Sequence, residues 1–373
     1  MHALRSSLFM GALLLSAVAV AQPVAVRPSV GMPMGMVAPA LPEADRFFTA
    51  PELGETRALL VMQQGRIIYE RYAPGYGPGN RFLSWSMAKS VTATLIGELV
   101  HEGRLELDTP APVPAWRKVP DDPRAGITLR HLLHMSAGLR HVETGPAPEQ
   151  SDTNMALFAD RSADVAAAAV AAPLEARPGT RFTYSTLTSH ILSDILGRTL
   201  APETTNQAAN PTARRQVVRG FLESRLIGPA AMPTLICEFD AAGTMLGGSF
   251  CHASLRDWGA FGQLYLDKGR VAGRQVVAPE WIDFVQTPAL TDGGYGGHFW
   301  LNRPRPQGRE DALFPAAGPA DAYGAVGHLG QYVVIVPSRQ LVVVRLGHTP
   351  DARRSSLRTA LGVLVNSFPV RTE

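Results

Sequence analysis

The chain has 373 residues, 46% of them hydrophobic, and a formal charge of +3. That is enough for a large buried core, in one big domain or two lobes. The charge excludes a nucleic-acid surface: it comes mostly from scattered arginines, lysine occurs only as Lys89, Lys118 and Lys268, and no basic run is interleaved with aromatics.

At the N-terminus His2 and Arg5 precede an apolar run from Leu8 to Val20, and Ala19-Val20-Ala21 offers small residues before Gln22. The pattern predicts a signal peptide over 1–21 and an exported protein, periplasmic or secreted. The run is short for a membrane span and no cysteine follows it, so no stable membrane anchor is expected. Residues 22–44, rich in Pro, Val, Met and Gly without periodicity, predict a linker or an extended N-terminal arm.

Arg57–Gln63 and Arg66–Tyr72 are β-rich runs joined across Gln64-Gly65, a hairpin signal. An apolar helical run, Val91 to Val100, ends at Gly103; a second helix, Leu129–His134, starts after Thr128 and stops near Gly138. From about 140 to 250 the chain is irregular and helix-biased, with Ala163–Ala172 and helices near 187–199 and 212–226. Leu255–Lys268 and Pro279–Val285 predict further helices and Gly296–Leu301 a short strand. Gln331–Val336 and Leu341–Leu346 predict a hairpin about Pro337–Gln340, and Ala352–Val365 an amphipathic helix. Strands lie at both ends and helices in the middle. The expected class is α/β (α+β): an antiparallel sheet flanked by N- and C-terminal helices, with an inserted, mostly helical lobe. The main domain would run over 45–373, with a sheet lobe of about 45–103 and 250–373 and a helical lobe of about 104–249.

The most informative stretch is Ser86-Met87-Ala88-Lys89, at the start of the Val91–Val100 run. Three residues apart on a helix, the two side chains are neighbours and can share a proton. A lysine neutralised by burial becomes a base, and the serine a nucleophile. The helix start supplies unpaired N–H groups for a developing oxyanion. Such a pair needs a proton relay and a second oxyanion donor. Pro178–Thr186 offers Tyr184 just before a helix; Gly327–Gln331 offers glycines at a strand edge and the backbone N–H of Gln331. Cys237 and Cys251 suit either a disulfide or two buried free thiols.

The ordered set Ser86-Met87-Ala88-Lys89, Tyr184-Ser185-Thr186 and His328-Leu329-Gly330 resembles the serine β-lactamase and penicillin-binding-protein superfamily. The likeness is greatest to the branch of class C β-lactamases, their esterase relatives and the 6-aminohexanoate oligomer hydrolases. Leu132–Leu139, Phe261–Leu266 and Gly330–Pro337 also fit, so the resemblance spans roughly 50 to 366. It implies Ser86 as acylated nucleophile, Lys89 as its base, Tyr184 as relay to the leaving group, and the N–H groups of Ser86 and Gln331 as oxyanion hole. His328, Gly330, Thr186 and Asp152 would contact substrate, and no metal or cofactor is expected.

Two positions depart from the β-lactamase pattern. Thr186 replaces an amide, and His328 replaces a lysine whose fixed charge would bind a substrate carboxylate. Histidine is mostly neutral at pH 7. The departures favour small amides or esters over anionic β-lactams. A β-lactamase and a D-amino-acid peptidase are the enzymatic alternatives, and a non-catalytic binding or sensor domain the alternative from another class. His131 and His134, one turn apart, are expected to pack or cap rather than bind metal, and Gly293–His298 to form a turn or a flexible loop at the cleft.

Overall fold

The computed structural model describes residues 41–201, 210–306 and 308–371. The expected signal peptide, and the expected linker up to residue 40, lie outside them. The end of that linker enters a helix, α1 (Pro42–Thr49), with Pro42 in the first turn, Glu43 and Asp45 facing the positive end of the helix dipole, and Ala44 and Phe47 buried.

The hairpin forms as expected. β1 (Glu55–Gln63) and β2 (Arg66–Tyr72) turn at Gln64 (φ 52°) and Gly65 (φ 74°), the double positive φ of a tight two-residue hairpin. Next comes α2 (Ala88–His101), buried at every position from Ala88 to Leu99, so it runs through the core rather than along its surface. α3 (Thr186–Leu200) is similarly enclosed and packs against α2, and α4 (Leu255–Leu266) follows. Four further strands join the hairpin in the main sheet, β3 (Trp300–Leu301), β4 (Tyr323–Gly327), β5 (Gln331–Val336) and β6 (Leu341–His348), before the closing helix α5 (Arg354–Asn366).

These six strands form one antiparallel sheet in the order β2-β1-β6-β5-β4-β3. Side chains alternate between its faces. Leu59, Val61, Val334, Val336 and Val343 pack with Phe47 of α1 and Leu357 and Leu361 of α5. Leu60, Val333, Ile335, Val342 and Val344 join Trp258 and Phe261 of α4 in the larger core, which continues into α2 and α3. The sheet is thus flanked by the terminal helices on one face. Strand β4 is absent from the sequence expectation, and it matters most for the site. Within Gly296–Leu301 only Trp300 and Leu301 are strand.

A small second sheet pairs Phe82–Leu83 with Cys251–Ala253 and Ile236–Cys237. Cys237 and Cys251 are opposite partners in it and are joined as a disulfide. Among the described residues no helix is long and apolar enough to cross a membrane.

Candidate active site

Ser86 sits on a sharp elbow between Phe82–Leu83 and α2. Ser84, fully buried, exchanges backbone contact with Cys251 (Ser84 N–H to Cys251 O, 2.8 Å). Its hydroxyl accepts the Cys251 N–H at 3.1 Å and faces the carbonyls of Trp85 (2.9 Å) and Ser249 (3.1 Å). This anchorage holds Trp85 at φ 45°, a conformation unfavourable for a bulky residue. The single turn Trp85–Met87 then leads directly into α2, leaving Ser86 half-buried among first-turn N–H groups that lack a helical partner.

One turn on, the Lys89 Nζ donates to Ser86 Oγ (3.0 Å), Thr186 Oγ1 (2.8 Å) and the Gly248 carbonyl (2.7 Å). Lys89 is 1% exposed. Burial pushes its ammonium down to about 8, against the opposing pull of the Glu143 carboxylate. The neutral form is therefore within reach near neutral pH. Thr186 opens α3, and the Ser185 hydroxyl before it caps that helix by accepting the Thr188 N–H. The Thr186 hydroxyl in turn donates to Glu143 Oε1 at 2.6 Å.

Tyr184 reaches the same point from the segment before α3. Its ring lies 5.0 Å from Lys89 Nζ, and the Ser86 hydroxyl is beside its phenol. Burial holds the phenol protonated, well above the ordinary tyrosine range. Trp300 of β3 stacks on the ring at 5.3 Å, and Tyr295 meets it edge-on at 6.0 Å. Tyr295 belongs to the Gly293–His298 segment, which is a built turn: Asp292 is buried under Arg305 and Arg309 (2.7 and 2.8 Å), and buried His298 faces Ser189 Oγ at 3.0 Å.

The third wall is strand β4. Asn302 N–H donates to the Ala322 carbonyl, so the amides of Ala322, and by alternation those of Gly324 and Val326, point toward the β3 side. Along β4, β3 reaches Tyr323 and Gly324 and stops short of Val326. The Val326 N–H thus lies on the free edge of the sheet, lining the cleft with Ser86, Tyr184 and Trp300. Gln331 is a correction to the sequence reading. It is the opposite partner of Gly327, so its N–H is turned into the β4–β5 ladder, and its buried side chain is tied to both backbone groups of Gly347. The expected His-Leu-Gly edge is the connection between β4 and β5; the edge itself is one strand earlier.

The other expected substrate contacts divide. His328 and Gly330 line the cleft; His328 is exposed, edge-on to Trp85 at 5.3 Å, with its imidazole pushed toward the neutral form by partial burial. Thr186 is 1% exposed and faces Lys89, not the cleft. Asp152 does not line the cleft: it accepts the Val142 N–H (2.9 Å) and pairs with Arg161 (2.9 Å), fastening the segment that carries Glu143. His131 caps its own helix by accepting the Thr128 N–H, and His134 stacks on Phe284 at 5.1 Å. Sequence reasoning missed Glu143, Gly248 and Val326. His141-x-Glu143 just after Gly138-Leu139 was the one available signal for the first, since alternate residues of an extended segment share a side.

The cleft measures about 310 Å³. Beyond Ser86 its outer wall is charged, with Arg305, Glu310, Arg354 and Arg358, the last two paired with Glu310. A serine beside a buried lysine, a phenol and a free strand-edge amide is an arrangement suited to acyl transfer.

Comparison with known proteins agrees with this geometry. A 6-aminohexanoate-dimer hydrolase of Paenarthrobacter ureafaciens is 25% identical over 308 residues, 79% of this chain and 73% of that protein. A Bacillus anthracis structure provisionally assigned as a 6-aminohexanoate-dimer hydrolase superposes with a TM-score of 0.62 at 20% identity, covering 84% of this chain and 81% of its own. A family VIII carboxylesterase structure gives 0.59 at 16% identity, covering 86% and 95%. The sequence profile described as Beta-lactamase matches residues 55–365. The chain belongs to the Beta-lactamase family.

Proposed function

We propose that this protein is a serine hydrolase that cleaves small amides or esters through an acyl-Ser86 intermediate, in the manner of 6-aminohexanoate-oligomer hydrolases and esterases. The contact of Lys89 Nζ with Ser86 Oγ at 3.0 Å, in a site where the lysine is wholly buried, carries the reading. Neutral Lys89 takes the Ser86 proton as Oγ bonds to the substrate carbonyl carbon. The resulting oxyanion lies between the N–H groups of Ser86 and Val326. The proton passes through the Tyr184 hydroxyl to the departing nitrogen or oxygen as its bond to carbon breaks. Water then attacks the acyl carbon, gives its proton back along the same route, and frees Ser86.

Neutral His328 at the rim supplies no fixed charge for a substrate carboxylate, which favours amides and esters without a carboxylate at that place over β-lactams. The apolar run Leu8–Val20 and the disulfide between Cys237 and Cys251 support export to an oxidising compartment; N-terminal sequencing of the secreted or periplasmic fraction should begin at Gln22. A fluorophosphonate probe should leave one adduct, on Ser86, and Ser86→Ala should abolish hydrolysis of a short p-nitrophenyl ester with little change in melting temperature. Absence of any adduct refutes the enzyme and leaves a binding domain; fast nitrocefin turnover favours a β-lactamase instead.

A further inference from the structure

Glu143 is the charged group beside Lys89 that the reaction above leaves without a task. Its carboxylate accepts only: the Thr186 hydroxyl on Oε1 (2.6 Å), and on Oε2 the Thr186 N–H (2.7 Å), His141 Nε2 (2.6 Å) and the Thr153 hydroxyl (3.0 Å). The His141 side chain is 1% exposed, and Asp152 pins the Val142 backbone between the two. A carboxylate held at four points does not swing out to a substrate. Glu143 lines the cleft with a quarter of its side chain exposed, but so held it acts on the chemistry by its bond to Thr186 and by its charge on Lys89.

The protons around Lys89 can be counted. Charged, Lys89 has three N–H groups for three acceptors: Ser86 Oγ, Thr186 Oγ1 and the Gly248 carbonyl. Neutral, it keeps two N–H groups and gains a lone pair that needs a donor. The Gly248 carbonyl has no proton to give. The Thr186 hydroxyl has one, and Glu143 holds it. The Ser86 hydroxyl is then the donor that remains, and a lone pair aimed at it is what abstraction of the Ser86 proton requires.

We propose that Glu143, clamped by His141 and acting through Thr186, is a positioning residue that turns the lone pair of neutral Lys89 onto Ser86 and, by its charge, sets the acid limb of the reaction. The inference rests on Lys89 being the base. The other groups facing Lys89 do not compete for that role. Tyr184 and Tyr295 stay protonated, and burial drives His190 of α3 and His298 of the 293–298 turn down to about 3, so both are far weaker bases than Lys89. His141 is spent on Glu143. Where relatives of the β-lactamase pattern carry an amide, this chain carries a hydroxyl locked by a carboxylate.

The test is the pH dependence of kcat/KM on a short p-nitrophenyl ester, from pH 6 to 10, for the full chain and three variants. Glu143→Gln keeps the shape and loses the charge; its acid limb should move to lower pH by about one to three units. Thr186→Val removes the link between Glu143 and Lys89; its plateau kcat/KM should fall about 10- to 100-fold, and Thr186→Ser should restore it. A limb that stays in place in Glu143→Gln, or a Thr186→Val plateau equal to that of the parent, overturns the proposal. Should Glu143→Gln not fold, the Thr186 pair decides alone. A parent chain that neither turns over the ester nor labels at Ser86 fails differently: it removes the hydrolase reading, and this inference with it.

Discussion

Gly327 stands against the carbonyl oxygen of Ser84: a Cβ at 327 would come within 2.3 Å of that oxygen. The contact joins the free end of β4 to the elbow that carries Ser86, and it fixes the gap between the two proposed oxyanion donors. Gly327 has φ −117°, so a side chain there is opposed by the neighbour and not by the backbone angle. Gly327→Ala should therefore push the Val326 N–H away from Ser86. Loss of one oxyanion donor costs about 10²- to 10³-fold in kcat, and the overpacking about 1–3 kcal/mol of stability. Steady-state kinetics beside a thermal melt measures both; an unchanged kcat removes Val326 from the site.

Tyr184 gives a prediction of the opposite kind, large in rate and small in stability. Its ring keeps Trp300, Tyr295 and the Lys89 ammonium as neighbours whether or not the hydroxyl is present. Tyr184→Phe leaves that packing intact and removes only the hydroxyl proposed as relay. We expect kcat to fall about 10²- to 10⁴-fold with a melting temperature near that of the parent. The loss should be greater for an amide than for a p-nitrophenyl ester, whose leaving group departs without a proton. Equal losses on both would mean that Tyr184 acts elsewhere than at the leaving group.

What was legible in the sequence follows from where local pattern and chemistry coincide. Ser86 and Lys89 lie at one helix start, where spacing alone fixes that they meet; Tyr184, 98 residues on, was legible through the ordered motifs of the resemblance, and the structure brings all three together. The Gln64-Gly65 hairpin and the apolar β5–β6 pair were readable for the same reason. Strand β4 was not: Tyr323-Gly324-Ala325-Val326-Gly327 has two glycines and little β propensity, and it is a strand because β5 and β3 pair with it. Missing it shifted the expected edge onto the following turn, and the expected second oxyanion donor onto Gln331 rather than the Val326 proposed above. Glu143 was hidden because Thr186, which it touches, and Lys89, which feels its charge, lie 43 and 54 residues away and only tertiary packing brings them near it.

The disulfide should matter for the elbow as well as for overall stability. Cys251 exchanges two hydrogen bonds with Ser84, two residues before Ser86. Closing a loop of this length contributes about 3 kcal/mol by the chain-entropy argument. Dithiothreitol, or the double change Cys237→Ala and Cys251→Ala, should lower stability by about that amount and reduce the rate of Ser86 labelling. Titration of the unfolded, unreduced protein should find no free thiol. Two free thiols there, or a melt indifferent to reductant, would show that the pair contributes nothing.

Glu98 lies on α2, the same helix as Lys89, but at its far half, 7% exposed and with Oε1 lacking a hydrogen-bond partner. Burial pushes its carboxyl up to about 7 from 4.5, with Arg225 opposing the rise and Glu102 adding to it. The native value is above the unfolded one, so folding favours the protonated form. The stability this contributes is complete below about pH 4.5 and is lost as pH rises through 7. Above that, the protein carries a buried, poorly partnered charge, at a cost on the order of 2–3 kcal/mol. Glu98→Gln removes the charge and keeps the shape. The variant should melt near the parent at pH 5 and several degrees above it at pH 8.5. Melting curves that run parallel across this range would mean that Glu98 keeps an ordinary carboxylate affinity in the folded chain, and that the lower half of α2 is wetter than its burial implies.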